Sequence, residues 1–242
     1  MIELKNLSKS YNSKKAVDNL NLKINNGEIF GFLGQNGAGK TTTIKMITGI
    51  LEIDSGNVLI DNYDISKETI KAKMNFGYVP DNPDMLLKLK GIEYLNFLAD
   101  IYNISTQDRK VIIETLSKRF GIYESLNQRM QDYSHGMRQK IVLIGTLIHN
   151  PQNWILDEPM TGLDPRASYE LKEIMKERAK ENKTVFFSTH VLEVAEKLCD
   201  RIGIINDGKL IFVGTIEELK IKYKEDTTLE NLFLEITEYN NE

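Results

Sequence analysis

Gly34-Gln35-Asn36-Gly37-Ala38-Gly39-Lys40-Thr41 carries the pattern G-x-x-x-x-G-K-[ST], the phosphate-cradling P-loop. Its glycines let backbone N–H groups converge on an anion, and the helix N-terminus behind them adds partial positive charge. Lys40 can reach the outer phosphates of a nucleotide, and Thr41 offers a hydroxyl to Mg2+. Asn36, Gly37, Ala38, Gly39 and Thr42 complete the expected cradle. Far downstream, the apolar run Trp154-Ile155-Leu156 ends in Asp157-Glu158, and Pro159 stops it. Carboxylates at the C-terminal end of a parallel strand lie where α/β sheets bind ligands. Behind a P-loop, Asp157 can hold Mg2+ through its water shell, and Glu158 can orient or deprotonate an attacking water. The chemistry expected is hydrolysis of a nucleoside triphosphate.

Those residues need elements to hold them. Ile29-Phe30-Gly31-Phe32-Leu33 reads as a buried strand leading into the glycines, and Ile44, Met46 and Ile47 mark a helix closing at Gly49. Before it, Ile2 to Leu7 and Ala16 to Ile24 read as strands, and after it Gly56 to Ile60 and Phe76 to Val79 do the same. From about Met85 to Asn150 the pattern is helical, with apolar stripes at Ile92–Leu98, Val111–Phe120 and Met137–Ile148. Strand and helix then alternate: Trp154–Leu156, Ala167–Ala179, Val185–Phe187, Leu192–Leu198, Ile202–Ile205 and Leu210–Val213. That alternation predicts a parallel α/β sheet into which a helical block is inserted. A charged linker, Lys220 to Thr228, precedes an amphipathic tail at Leu229 to Ile236.

With 242 residues, 41% hydrophobic and 27% charged, the chain has the composition of a soluble globular protein with a substantial core. A net charge of −4 gives a nucleic-acid partner no electrostatic support, and no direct nucleic-acid binding is expected. The single cysteine, Cys199, excludes an internal disulfide, fits a reducing compartment and reads as packing. The longest apolar stretch, Ile141 to Ile148, falls short of a membrane span, and the N-terminus lacks the shape of a signal peptide. Cytoplasmic location is expected.

Further residues complete a resemblance. Tyr133-Ser134-His135-Gly136-Met137 resembles the signature motif, Thr161-Gly162-Leu163-Asp164 the D-loop, and His190 the switch histidine of the nucleotide-binding subunits of ABC transporters. The resemblance spans essentially the whole chain. It implies a P-loop NTPase of ABC ATPase type, α/β with an antiparallel β part, in which 1–84 and 151–220 form the ATP-binding core, 85–150 the helical signature subdomain and 221–242 a tail. It also implies ATP and Mg2+, and head-to-tail pairing with a second copy or a sister ATPase subunit. Ser134 and Gly136 would then touch the γ-phosphate held by the opposite subunit, with Asp164 at the seam, His190 on the γ-phosphate and Tyr11 stacked on the adenine. Two departures stand out. Asp81 occupies the place of the family's Mg2+-ligating Gln, and His135 and Met137 stand where Gly and Gln are usual.

Without a membrane span of its own, the chain is expected to power a separate permease from the inner face of the membrane. Thr228-Leu229-Glu230-Asn231-Leu232-Phe233 resembles the endings of subunits serving ABC-2 type exporters, which favours export. The competing reading is a soluble ABC ATPase acting on ribosomes or nucleic acid; such proteins usually carry two ATPase units or a long coiled-coil insertion, and neither is present. A metabolic P-loop kinase leaves the signature motif and His190 unexplained.

Overall fold

A computed structural model describes residues 1–223 and 228–239, and within them ten strands form two sheets. The smaller is antiparallel, in the order β2-β1-β4-β5, built from β1 (Ile2–Tyr11), β2 (Lys14–Ile24), β4 (Ser55–Ile60) and β5 (Tyr63–Asp64). The larger runs β10-β9-β3-β8-β7-β6. At its centre lies β3 (Ile29–Leu33), flanked by β8 (Thr184–Thr189) and β9 (Arg201–Asn206), with β7 (Asn153–Leu156) and β6 (Phe76–Val79) beyond β8. Every residue of β3, β7 and β8 is buried, as expected for parallel strands covered on both faces.

The expected parallel sheet is correct for five strands. The sixth, β10 (Lys209–Gly214), is antiparallel to β9, joined to it by a tight turn at Asp207-Gly208 where both residues have positive φ. A two-residue loop can only return the chain antiparallel.

One apolar core lies between the two sheets and encloses the P-loop helix α1 (Lys40–Ile47): Leu4, Ile24 and Val58 face Ile44, Ile47, Phe30 and Phe186. Phe186 lies 6.1 and 5.6 Å from the Phe30 and Phe32 ring centroids in tilted contacts. Each fully buried ring of this kind contributes about 2–3 kcal/mol by burial, so the strand that leads into the glycines is firmly held. The opposite face of the larger sheet is covered by α5 (His135–Leu147) and α6 (Pro165–Lys180), against which α3 (Gly91–Ile101) and α4 (Thr106–Arg119) pack. These last helices and α5 lie in the chain between β6 and β7, which are sheet neighbours.

A third core joins α7 (Leu192–Leu198), β9 and β10 to α8 (Ile216–Tyr223) and α9 (Leu229–Tyr239). The charged linker expected from Lys220 is corrected in part, because Lys220 to Tyr223 finish α8, anchored by buried Leu219. Residues 224–227 of that stretch and 240–242 of the expected tail lie outside the described residues. The amphipathic tail is α9, which buries Leu229, Leu232, Phe233 and Ile236 along one stripe. Cys199 caps the end of α7, and burial raises its thiol pKa far above the usual range. That agrees with packing rather than reactivity.

Candidate nucleotide site

The P-loop leaves β3 and enters α1 through Gly39, whose φ is 111°. A side chain there would stand 2.6 Å from the Ala16 carbonyl oxygen, so conformation and space both require glycine. The start of α1 has no side-chain cap and no acidic residue in its first turn, so its leading N–H groups remain available to an anion. Lys40 is 6% exposed and its ammonium donates to the Gly34 carbonyl at 2.8 Å and the Gln35 carbonyl at 3.3 Å. The lysine is thereby folded over the loop's own concavity.

Asp157 and Glu158 follow β7. Asp157 is fully buried, and its Oδ1 accepts from the Ser188 hydroxyl at 2.6 Å. Burial raises its pKa, the hydroxyls of Ser188 and Thr41 pull it back, and the charges of Asp81 and Glu158 push it up again. Its Oδ2 is buried and accepts no hydrogen bond. Glu158 has a φ of 47°, a strained conformation for a non-glycine residue. Its N–H donates to Ser188 Oγ at 2.9 Å, which fixes the turn. The carboxylate is aimed between two partners: Oε1 lies 3.5 Å from Lys40 Nζ and Oε2 lies 3.0 Å from His190 Nδ1. Strand β8 supplies Ser188, and His190 follows its last residue, Thr189.

An open pocket of about 250 Å³ joins the P-loop to Glu158, lined by Asn36, Gly37, Lys40, Thr41, Asp81 and Glu158, with Ala16 and Gln35 in its wall. Asp81 is exposed just beyond β6, its Oδ1 accepting from Asn82 N–H at 3.0 Å. Thr41 and Asp81 line the pocket, and both act on the carboxyl of Asp157, which is buried outside that lining. An orphaned buried carboxylate oxygen beside a hydroxyl fits a hard divalent cation. Among the described residues no group of three or more His, Cys, Asp or Glu could hold a metal alone, so a cation here would complete its shell with water and phosphate oxygens.

Four expected residues lie apart. Tyr11 ends β1 at the hairpin tip, 49% exposed and outside the pocket lining. Ser134 caps α5, accepting from Met137 N–H at 3.3 Å, and it and Gly136 lie on that helix's exposed start, not in the pocket. Asp164 caps α6 through Ala167 N–H at 2.9 Å and pairs with Lys140 at 2.5 Å; the Lys140 hydrogen bond holds its carboxyl below the usual range. Ser188 escaped the sequence reading although it donates to the Asp157 carboxylate and accepts from the Glu158 N–H. Its only signal was a hydroxyl near the end of an apolar strand, two residues before His190.

Fold and pocket define a P-loop nucleoside triphosphatase with an antiparallel β layer and a helical insertion. Comparison with known proteins narrows the class. The sequence profile described as ABC transporter matches residues 17–161. The linearmycin resistance ATP-binding protein LnrL of Bacillus subtilis (strain 168) is 36% identical over 230 residues, 95% of this chain and 74% of that protein. A solved ATP-binding subunit of an ABC transporter superposes with a TM-score of 0.94 at 30% identity, covering 98% of this chain and 99% of that one. A dimeric, post-hydrolysis structure of the ATP-binding cassette MJ0796 bound to ADP and Pi gives a TM-score of 0.82 at 25% identity, over 89% and 99% of the two chains. The chain belongs to the ABC transporter family. It is the ATP-binding, ATP-hydrolysing cassette subunit of such a transporter.

Proposed function

We propose that two such cassettes, a pair of this chain or this chain with a sister subunit, close on two ATP molecules and drive a separate membrane permease in the direction of export. The observation that carries this is a division of labour within one chain. The pocket gathers the phosphate cradle, the Asp81 carboxylate and the Glu158 base, while the Ser134-capped helix end lies outside it. A second cassette would supply Ser134, Gly136 and Asp164 to the first one's ATP. Support for export comes from the similarity to LnrL, a linearmycin resistance ATP-binding protein, and from the Thr228–Phe233 ending. Among the described residues no helix is long and apolar enough to cross a membrane, which fits a subunit seated on the inner face through its permease. A groove between the core and the helical block, walled by Ile50, Met85, Tyr94, Leu98 and Tyr102, begins on the same strand that ends beside Asp81, and suits a permease segment.

In this reading the P-loop N–H groups from Asn36 to Thr42 and Lys40 bind the phosphates, and Tyr11 stacks on the base. Thr41, Asp157 and Asp81 would hold Mg2+ or its water shell. The ion, when bound, offsets negative charge on the phosphates. Glu158 accepts the proton of the attacking water, and His190, at 3.0 Å, keeps its carboxylate aimed. Closure is favoured because ATP binds the paired state more tightly than the open one, and hydrolysis removes that preference.

Glu158→Gln tests the scheme. It keeps shape and hydrogen bonding but removes the proton acceptor, so hydrolysis should fall by about 100-fold or more while ATP still binds. ATP-dependent dimers should then persist in size-exclusion chromatography. Hydrolysis at the wild-type rate would exclude Glu158 as the base. ATP held without turnover by a monomer would show that a sister subunit or the permease is needed for pairing.

A further inference from the structure

The start of α5 is bolted to the loop that follows Glu158. Gly162 has a φ of 76°, and any side chain built on it would overlap the His135 ring, whose Nε2 would lie 3.0 Å away. Gly136 lies equally close on the other side: a side chain there would stand 2.6 Å from the Gly162 carbonyl oxygen. Further along α5, Gln139 Nε2 donates to the Pro159 carbonyl at 3.4 Å, and Lys140 pairs with Asp164 at 2.5 Å. The loop itself is short and closed, with Thr161 N–H donating to the Glu158 carbonyl at 3.2 Å and Leu163 N–H to the Met160 carbonyl at 3.3 Å. Its two ends are thus fixed by Gln139 and Lys140. Its middle, beyond the loop's own backbone bonds, packs on α5, and the heavy atoms nearest a side chain at Gly162 all belong to the His135 imidazole. His135 belongs to the exposed helix end, whereas Gly162 is four residues past the base.

We propose that His135 is a positioning residue for the Glu158 of its own chain. When the Ser134–Gly136 end meets the nucleotide of an opposite cassette, the imidazole carries that contact into the loop and sets the aim of Glu158, so each site fires only when the other is filled. A glycine at position 135 would leave the middle of the loop uncovered. The inference rests on the two-cassette reading above, and the contact itself is packing rather than chemistry, so a flat ring without nitrogen should serve.

The test compares His135→Ala and His135→Phe for steady-state ATPase activity, with Glu158→Gln run beside them as the check on pairing. His135 is exposed, and a melting temperature close to that of the wild type confirms folding; His135→Gln, which keeps length without a flat ring, is a second truncation. His135→Ala and His135→Gln should lower kcat about fivefold or more, leave the ATP concentration for half-maximal rate within about twofold, and bring the Hill coefficient down to 1. His135→Phe should restore both rate and cooperativity. Unchanged kcat and Hill coefficient in the truncations, while Glu158→Gln traps an ATP-dependent dimer, would overturn the proposal. So would a His135→Phe protein as defective as His135→Ala, since the polar atoms would then matter. Failure of Glu158→Gln to pair removes the two-cassette reading itself, and with it this one, in an arm that leaves His135 untouched.

Discussion

At Asp157 the structure sets a buried charge against a missing partner. Its pKa is raised first by desolvation, and a raised carboxyl pKa stabilises the fold at low pH and loses that contribution as pH rises through the folded value. Asp157→Asn removes the charge but keeps an oxygen for Ser188. Without nucleotide at pH 8, thermal melting should therefore be equal to or above that of the wild type. The Mg2+-dependent part of the ATP-induced rise should be lost, and a Mg2+-dependent rise of wild-type size would remove Asp157 from the cation site. Tyr11 presents a different problem, because it is exposed and stands outside the pocket lining. Stacking on a base tolerates which base it is, so Tyr11→Ala should weaken ATP and GTP binding alike, by about 1–3 kcal/mol, with the saturated rate unchanged. Isothermal titration with both nucleotides reads this directly. The P-loop and the paired carboxylates were legible because their chemistry demands fixed residue types at fixed spacing. Ser188 was not, since a single hydroxyl in a strand is indistinguishable from any other until folding places it beside Asp157.

Elements with a clear period were equally legible. The central strands emerged from unbroken apolar runs, and α5 and α6 from their stripes. Helix α2 (Thr69–Met74) was missed because six residues with one buried alanine give no stripe to read, and α8 because its Glu and Lys residues imitate a linker. The antiparallel turn of β10 depends on two residues at positive φ, a feature that periodicity does not encode. His149, just past the end of α5, shows what an element boundary can conceal. Its ring stacks on Tyr102 with centroids 3.6 Å apart, and its Nε2 lies 3.2 Å from the Phe76 carbonyl. Burial lowers its pKa to about 4 from 6.5, with Arg178 adding to the fall. A depressed histidine pKa contributes stability that is complete above pH 6.5 and lost as pH falls through 4. Urea unfolding of the wild type should lose roughly 2–3 kcal/mol from this group between those limits. His149→Gln, which can still donate to Phe76, should flatten that portion of the profile, and an unchanged profile would show that His149 does not titrate on folding.

Across the whole molecule, the helical block is tied to the core by apolar packing and by polar contacts, among them a clamp at Arg119. Arg119, at the end of α4, bonds Glu170 at 2.6 Å and both carboxylate oxygens of Glu177 at 2.7 and 2.8 Å, all on α6. Glu177 is half exposed, so solvent screening limits the clamp to about 1–2 kcal/mol despite its bidentate geometry. Arg119→Ala should lower the melting temperature by about 2–4 °C at low salt, and the difference should shrink in 1 M salt as screening removes the clamp from the wild type. A salt-independent difference would assign the loss to packing of the arginine stem instead.

The insertion between β6 and β7 also governs how the chain reaches this state. These two strands pair residue for residue, Phe76 with Asn153 and Val79 with Leu156, yet everything from Pro80 to Gln152 must be looped out for them to meet. If that stretch were loose, closing it would cost roughly 1.5 kcal/mol more than closing an ordinary crossover of about a dozen residues. Early formation of the helices shortens the effective loop. The helical block is therefore expected to assemble ahead of the sheet edge, and in refolding followed by hydrogen exchange α5 should gain protection before β6 does.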